Sequence, residues 1–309
     1  MLAPQLSRFL ASRRIHYGWL MVAVAFVVSV TTAGAQGLAG ALVQPLEREF
    51  GWSVDQIGGA LAIRILLFGL MAPFSAAMIE RYGLKRIVVT ALSIIATALI
   101  LALFMNRLWQ LFVIWGVMVG TATGLTAVVF SAIVATRWFT ERRGLVVGIL
   151  TASNATGQLA FLPLAAWLEA HYGWRAALAP TLIGLGVAAV GVVLFMVERP
   201  YDLGLVPYGE SGRPIPPAPA KPVFGATLSA LNKASGSLTF RVLAGTFFVC
   251  GLSTNGLVQT HFISLCADFG VTSVTAASML AIIGLCDFIG TIGSGWLSDR
   301  YDNRALLFV

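Results

Sequence analysis

The chain has 309 residues, of which 58% are hydrophobic and 11% charged, and it carries a formal net charge of +7. A mean hydropathy of +0.87 excludes a water-soluble globular domain, and the cations are scattered in short segments rather than gathered into the single basic face that nucleic-acid binding would need. The apolar residues instead fall into runs of about 20, the length that crosses a bilayer as a helix.

Eight such runs occur, near 17–41, 54–78, 87–105, 109–135, 144–168, 175–197, 241–266 and 274–297, so the predicted fold class is an all-α polytopic membrane protein. The first run is too long for a signal-peptide core and lacks a small-residue cleavage site, so it is expected to stay as span one. Gln36 lies in that run, and Ser53 with Gln56 has the spacing of a capping box at the start of span two, with Thr272 at the matching position before span eight. Span two holds Arg64, 16 residues before Glu80 and therefore about 24 Å from it along a helix, near the membrane midplane. An ionisable group at that depth costs several kcal/mol and normally faces a cavity or a partner; a snorkelling or structural role is the alternative. Gly116, Gly120 and Gly124 of span four, with Gly284, Gly290 and Gly293 of span eight, read as close-packing sites. On span five, Asn154 and Gln158 are four apart and project to one side.

After span six comes a polar stretch holding Pro200, Pro207, Pro214, Pro216, Pro217, Pro219 and Pro222, a composition that favours extended or irregular backbone. The expected organisation is a six-helix bundle over 1–197, a linker over 198–238, and a second unit over 239–309. Span seven carries Asn255 and Gln259, again four apart. Span eight carries Asp287, about 18 Å before Asp299 along the helix. Cys250, Cys266 and Cys286 read as small buried apolar residues without metal spacing, and no disulfide is expected.

Two stretches repeat each other at an offset of 219 residues. Glu80-Arg81-Tyr82 aligns with Asp299-Arg300-Tyr301, Glu49-Phe50-Gly51 with Asp268-Phe269-Gly270, and Gln36-Gly37-Leu38 with Asn255-Gly256-Leu257. A period that long indicates a duplicated half-protein. The second copy stops at Val309, so three or four helices that the repeat calls for are expected to lie outside this sequence. Of the 20 Lys and Arg residues, 16 fall in the N-terminal segment and alternate connections, and only Arg48, Arg107 and Arg175 lie on the other side. By the positive-inside rule the N-terminus and the long linker are expected in the cytoplasm, in a multi-pass protein of the cell membrane.

The segment from Ala76 to Lys85, with Glu80, Arg81, Gly83, Lys85 and Arg86, resembles the G-x-x-x-D-R-x-G-x-[RK] signature of the major facilitator superfamily. The second copy, with Gly295, Asp299, Arg300 and Arg304, keeps the glycine and aspartate that the first replaces by alanine and glutamate. Within that superfamily the chain is similar to the monocarboxylate-transporter-like group. The likeness lies in Tyr17-Gly18-Trp19, in Glu49 to Ser53, and in the run Arg137-Trp138-Phe139-Thr140-Glu141-Arg142-Arg143-Gly144 entering span five. It departs from the group in having Thr291 one turn after Asp287 where an arginine is frequent, and no lysine in span one.

The resemblance implies a major facilitator fold and a secondary transporter of small organic anions, mono- or dicarboxylates, working by alternating access with a proton or counter-substrate as coupling partner. It implies gating roles for the signature residues and cavity-lining roles for Gln36, Asn255 and Gln259. Arg64 is then the candidate anion partner and Asp287 the candidate proton carrier. Efflux of amphipathic compounds is a rival reading, although span four is uncharged, and a non-transporting membrane sensor is another. No phosphate loop, zinc array or nucleophile triad is present, so neither an enzyme nor a cofactor is expected. The expected partners are the bilayer and a small-molecule substrate, with no nucleic acid, around a monomer.

Overall fold

The structure, a computed structural model, describes residues 2–126, 128–211 and 223–301; the side-chain surroundings of Asn154, Gln158, Asn255 and Gln259 lie outside the described residues, as does Arg304. A short helix α1 (Leu2–Ser12) precedes α2 (Tyr17–Phe50), α3 (Val54–Tyr82) and α4 (Leu84–Leu103). Span four is assembled from α5 (Leu108–Leu111), a π-helical stretch (Phe112–Val119), α6 (Gly120–Leu125) and α7 (Val128–Trp138). Then follow α8 (Arg143–Tyr172), α9 (Trp174–Ala177) and α10 (Ala179–Phe195). The linker holds α11 (Val223–Ser235), and α12 (Leu238–Gly251), a π-helical stretch (Leu252–Val258), α13 (Gln259–Asp268) and α14 (Ser273–Ser298) follow. No named strand occurs among the described residues.

Six of these helical segments are long and apolar enough to cross a bilayer: Tyr17–Phe50, Val54–Tyr82, Leu84–Leu103, Leu108–Trp138, Trp174–Phe195 and Ser273–Ser298. The other two predicted runs, 144–168 and 241–266, lie on α8 and on the helical stretch from α12 to α13. The predicted caps are in place. Gln56 N donates to Ser53 Oγ (3.3 Å) while Ser53 N donates to Gln56 Oε1 (3.2 Å), and Thr275 N donates to Thr272 Oγ1 (3.3 Å). Each pair satisfies backbone donors that the first turn of a helix leaves free.

The main core is formed by the first six spans and centres on Tyr17, Leu38, Ile95, Trp115, Phe130 and Leu185. Glycines on span four let it approach α3 closely. A methyl group on Gly120 would lie 2.8 Å from Arg64 O, and one on Gly124 would lie 2.8 Å from Phe68 O. A smaller core joins the halves, with Leu162 and Ala166 of α8 against Ile263 of α13 and Ala276, Ala277 and Leu280 of α14. At the opposite end of the same helix pair, a methyl on Gly148 would lie 2.9 Å from Thr291 O and one on Gly144 2.5 Å from Gly295 O. Helices α8 and α14 therefore touch at both ends.

Three expectations change. Gly290 and Gly293 have no neighbour within 4 Å of a would-be Cβ among the described residues, so they are not packing sites there. Cys250 and Cys286 are exposed rather than buried, because α12 and the outer face of α14 are not covered by described residues. The linker is not irregular throughout: past Pro222 it contains no proline, and Val223–Ser235 forms α11, which meets the next helix at a bend of 97°. Its first part also folds back onto the six-span bundle. There Tyr208 N donates to Trp138 O (2.8 Å), and Phe139 and Tyr208 form an isolated parallel bridge.

Candidate functional site

Two levels of the bundle carry the candidate residues. At mid-height, Arg64 on α3 is 8% exposed, and its Nη1 donates to the backbone carbonyl of Gln36 on α2 (3.0 Å). Its Nε is buried without a hydrogen-bond partner, and no carboxylate lies within ion-pair distance of it among the described residues. The close contact with Gly120 explains the position, since the backbone of α3 at Arg64 is pressed against α6 and the side chain can only leave toward α2. An ionised guanidinium without a counter-ion at this depth is energetically costly by several kcal/mol, which an anion arriving beside it would offset. Gln36 thus enters the site through its main chain.

Asp287 lies in the middle of α14, exposed, and accepts a hydrogen bond from Thr291 Oγ1 one turn on (3.2 Å). Four residues on from Asp287 is Thr291, whose carbonyl lies against Gly148 of α8; each four-residue step drifts by about 40°, so Asp287 sits at the edge of the face that meets α8. Arg64 and Asp287 are not paired with each other. The π-helical stretch Leu252–Val258 contains position 255, and the second π stretch, Phe112–Val119, lies against α3 next to the Arg64 turn. Such insertions disturb the regular hydrogen-bond ladder and concentrate at functional positions. Nothing in the sequence pattern marked them.

The second level is the basic end, where both signature copies lie. Asp299 Oδ1 accepts from Gly144 N (2.7 Å) and Oδ2 from Leu145 N (2.8 Å), so its carboxylate caps the N-terminus of α8 from the other half of the molecule. Arg142, the residue before that helix, supplies no side-chain cap of its own. Trp296, Asp299 and Arg300 on one side, with Thr140, Glu141, Arg142 and Leu145 on the other, line a pocket of about 540 Å³. Arg300 stacks over the ring of Trp296 at 4.1 Å, and Arg81 lies over Tyr82 at 5.3 Å.

The first signature copy is arranged differently. Glu80 is exposed and makes no hydrogen bond or ion pair among the described residues, although it attracts the charge of Arg137. The carboxylate that caps α4 is that of Glu198, which accepts from Leu84 N (2.5 Å) and Lys85 N (3.0 Å) and approaches Arg137 at 3.9 Å. Gly83 makes room for it. With φ +92° it occupies a backbone region that favours glycine, and a methyl there would lie 2.7 Å from Glu198 Oε1. Lys85 Nζ donates to Val193 O (2.6 Å) near the C-terminus of α10, a favourable end for a cation. Arg86 is exposed. Sequence reasoning missed Glu198 and took Arg137 only as part of the run entering span five; for Glu198 the available signal was a carboxylate immediately after a span in an otherwise basic segment.

His16 caps α2, with Nδ1 accepting from Gly18 N (3.1 Å) and Nε2 facing Val206 O at 3.0 Å. Burial lowers its pKa from the ordinary 6.5, against a smaller opposite effect of the Val206 hydrogen bond, and so favours the neutral ring that can accept at one nitrogen and donate at the other.

A family model described as the Major Facilitator Superfamily matches residues 24–309. Monocarboxylate transporter 13 of Bos taurus is 27% identical over 284 residues, covering 92% of this chain and 62% of its own length. Monocarboxylate transporter 11 of Mus musculus is 26% identical over 289 residues, with coverages of 92% and 60%. An uncharacterized MFS-type transporter, YcxA, of Bacillus subtilis (strain 168) is 24% identical over 293 residues, covering 94% of this chain and 67% of its own length. Among solved structures, the xylose transporter XylE of E. coli in an inward-open conformation aligns with a TM-score of 0.58 at 14% identity, over 92% of this chain and 70% of that one. That likeness is one of fold. The chain spans about three fifths of the length of the monocarboxylate transporters it matches.

Proposed function

The chain belongs to the Major Facilitator Superfamily, and from that premise we propose that it moves small organic anions, mono- or dicarboxylates, across the cell membrane as a secondary active transporter. The observation that carries this reading is Arg64: a guanidinium buried at mid-height with one backbone carbonyl as its hydrogen-bond partner and Nε unpartnered. A carboxylate is the complementary ligand, because it can accept from two guanidinium donors at once while supplying the missing charge. The names of the monocarboxylate transporters among the relatives support the same class.

Asp287, the carboxylate that accepts from Thr291 midway along α14, is assigned the role of proton carrier. Gln36, Asn154, Gln158, Asn255 and Gln259 are assigned to substrate binding as neutral polar contacts. The basic end is the cytoplasmic end by its excess of Lys and Arg, and Asp299 on the N-terminus of α8 is its closure.

Ligand-dependent stabilisation of the purified protein tests the substrate class without requiring turnover. A bound carboxylate at about 100 times its Kd adds roughly 2.7 kcal/mol to stability and raises the thermal midpoint. Lactate, pyruvate and oxalate are the probes, with xylose and an amphipathic cation as controls. A shift with a carboxylate that disappears in Arg64→Gln is expected. A shift with the amphipathic cation alone would instead support efflux.

A further inference from the structure

Residues 206–210, the start of the segment between the halves, lie as a strap against the basic end of the six-span bundle. Tyr208 N donates to Trp138 O (2.8 Å), and Tyr208 O accepts from both Thr140 N (2.9 Å) and Glu141 N (3.2 Å). The half-buried Tyr208 ring meets His16 at 5.7 Å, Phe139 at 5.7 Å and Trp19 at 6.1 Å between centroids, and the Arg142 guanidinium lies 5.9 Å over it. One residue earlier, Val206 O accepts from His16, which ties the strap to the start of α2. Gly209 has φ +89°, and a Cβ there would run into the side chain of Glu141, so the strap's course depends on that glycine.

The segment the strap holds is the one that leads into the closure. Immediately after Glu141 comes Arg142 in the left-handed region (φ 61°), an uncommon conformation for a residue with a side chain and one that costs about 1–2 kcal/mol unless its surroundings impose it. The next residues begin α8, and the N–H groups of Gly144 and Leu145 are the ones that Asp299 accepts. A left-handed residue turns the chain sharply, so the direction of those two donors is set by whatever fixes 138–141.

We propose that the 206–210 strap, through Tyr208, is a positioning element of the cytoplasmic closure: it holds 138–141 so that the turn at Arg142 aims the Gly144 and Leu145 donors at Asp299. This rests on the reading of that contact as the closure. Tyr208 touches neither substrate nor Asp299, and its effect runs through the α8 N-terminus.

The test uses a disulfide reporter across the closure, Leu145→Cys with Trp296→Cys, two residues lining one pocket, in a background with Cys250, Cys266 and Cys286 replaced by serine. Cross-linking rate under a mild oxidant, in membranes and without substrate, reads the closed population. Tyr208→Gly is expected to slow it by about 5-fold, equivalent to about 1 kcal/mol of lost bias, while Tyr208→Phe, which keeps the ring and the backbone bonds, matches the parent. His16→Leu removes the second anchor, together with the edge contact of its ring with Trp138 at 6.5 Å, and is expected to slow it in the same direction, which covers the case of a poorly folded Tyr208→Gly. On an Asp299→Asn background Tyr208→Gly should add nothing, because both act through one contact. Full additivity of the two effects, or unchanged rates in both Tyr208→Gly and His16→Leu while Asp299→Asn slows the reaction, overturns the strap's role. An unchanged rate in Asp299→Asn overturns the closure and the strap with it, and leaves the substrate class untouched.

Discussion

Arg64→Gln is expected to lower carboxylate uptake by about 100-fold, corresponding to the loss of roughly 3 kcal/mol of charge-assisted binding. The argument is one of desolvation. A carboxylate brought to mid-height leaves water for a low-dielectric interior, and the Arg64 guanidinium is the group placed to offset that cost; glutamine keeps hydrogen-bonding capacity but not the charge. Stability separates this from a structural role. Arg64 has no ion-pair partner among the described residues, so removing its charge is expected to leave thermal stability unchanged or slightly raised, whereas deleting one member of a buried structural pair costs about 3–5 kcal/mol. Arg64→Lys should retain part of the uptake, since a lysine supplies charge without the planar fork. In the same assay Asp287→Asn should impair uptake driven by a pH gradient more than counter-substrate exchange, because an amide cannot carry the proton. Normal uptake by Arg64→Gln would move anion capture to another residue.

The second large effect is expected at Asp299. Its two oxygens accept from adjacent N–H groups at the α8 N-terminus, a charge-assisted pair of bonds reinforced by the positive end of the helix. Asp299→Asn keeps the shape but loses the charge and one acceptor. A loss of about 1–2 kcal/mol of bias toward closure opens the basic end about 5–30-fold more often. Spin labels placed across the basic end should report a longer mean distance in the variant, with insertion and helix content unchanged. An unchanged distance distribution would reduce Asp299 to one of the charges that set topology.

Much of the architecture was legible because it is written locally. Apolar runs near 20 residues and the Ser53 and Thr272 caps are set by residues close together along the chain, and the structure places helices and caps where the pattern put them. The 219-residue repeat made Glu80 and Asp299 look alike, yet only Asp299 meets a helix N-terminus among the described residues. The partner of the first copy's helix is Glu198, 114 residues away from Leu84, and no periodicity connects them. The strap was hidden for a related reason: a proline-rich composition argues against a helix but says nothing about docking, and the hydrogen bonds of Tyr208 to 138–141 run through backbone atoms that every residue possesses. Gln36 was legible as a position near the site but not as a main-chain acceptor for Arg64. The π-helical stretches depend on packing between helices and leave no mark in the hydrophobic pattern.

Carboxylate uptake into proteoliposomes is the measurement closest to the central claim. Purified protein is reconstituted, and uptake of a panel of radiolabelled mono- and dicarboxylates is followed with and without an imposed pH gradient, and with unlabelled carboxylate preloaded inside. At least one carboxylate should accumulate above the level in protein-free vesicles, faster with inward proton drive or internal counter-substrate, and the accumulation should vanish in Arg64→Gln. Uptake of no carboxylate under either drive, by protein whose helix content and insertion are intact, or movement of amphipathic cations in their place, would contradict the account.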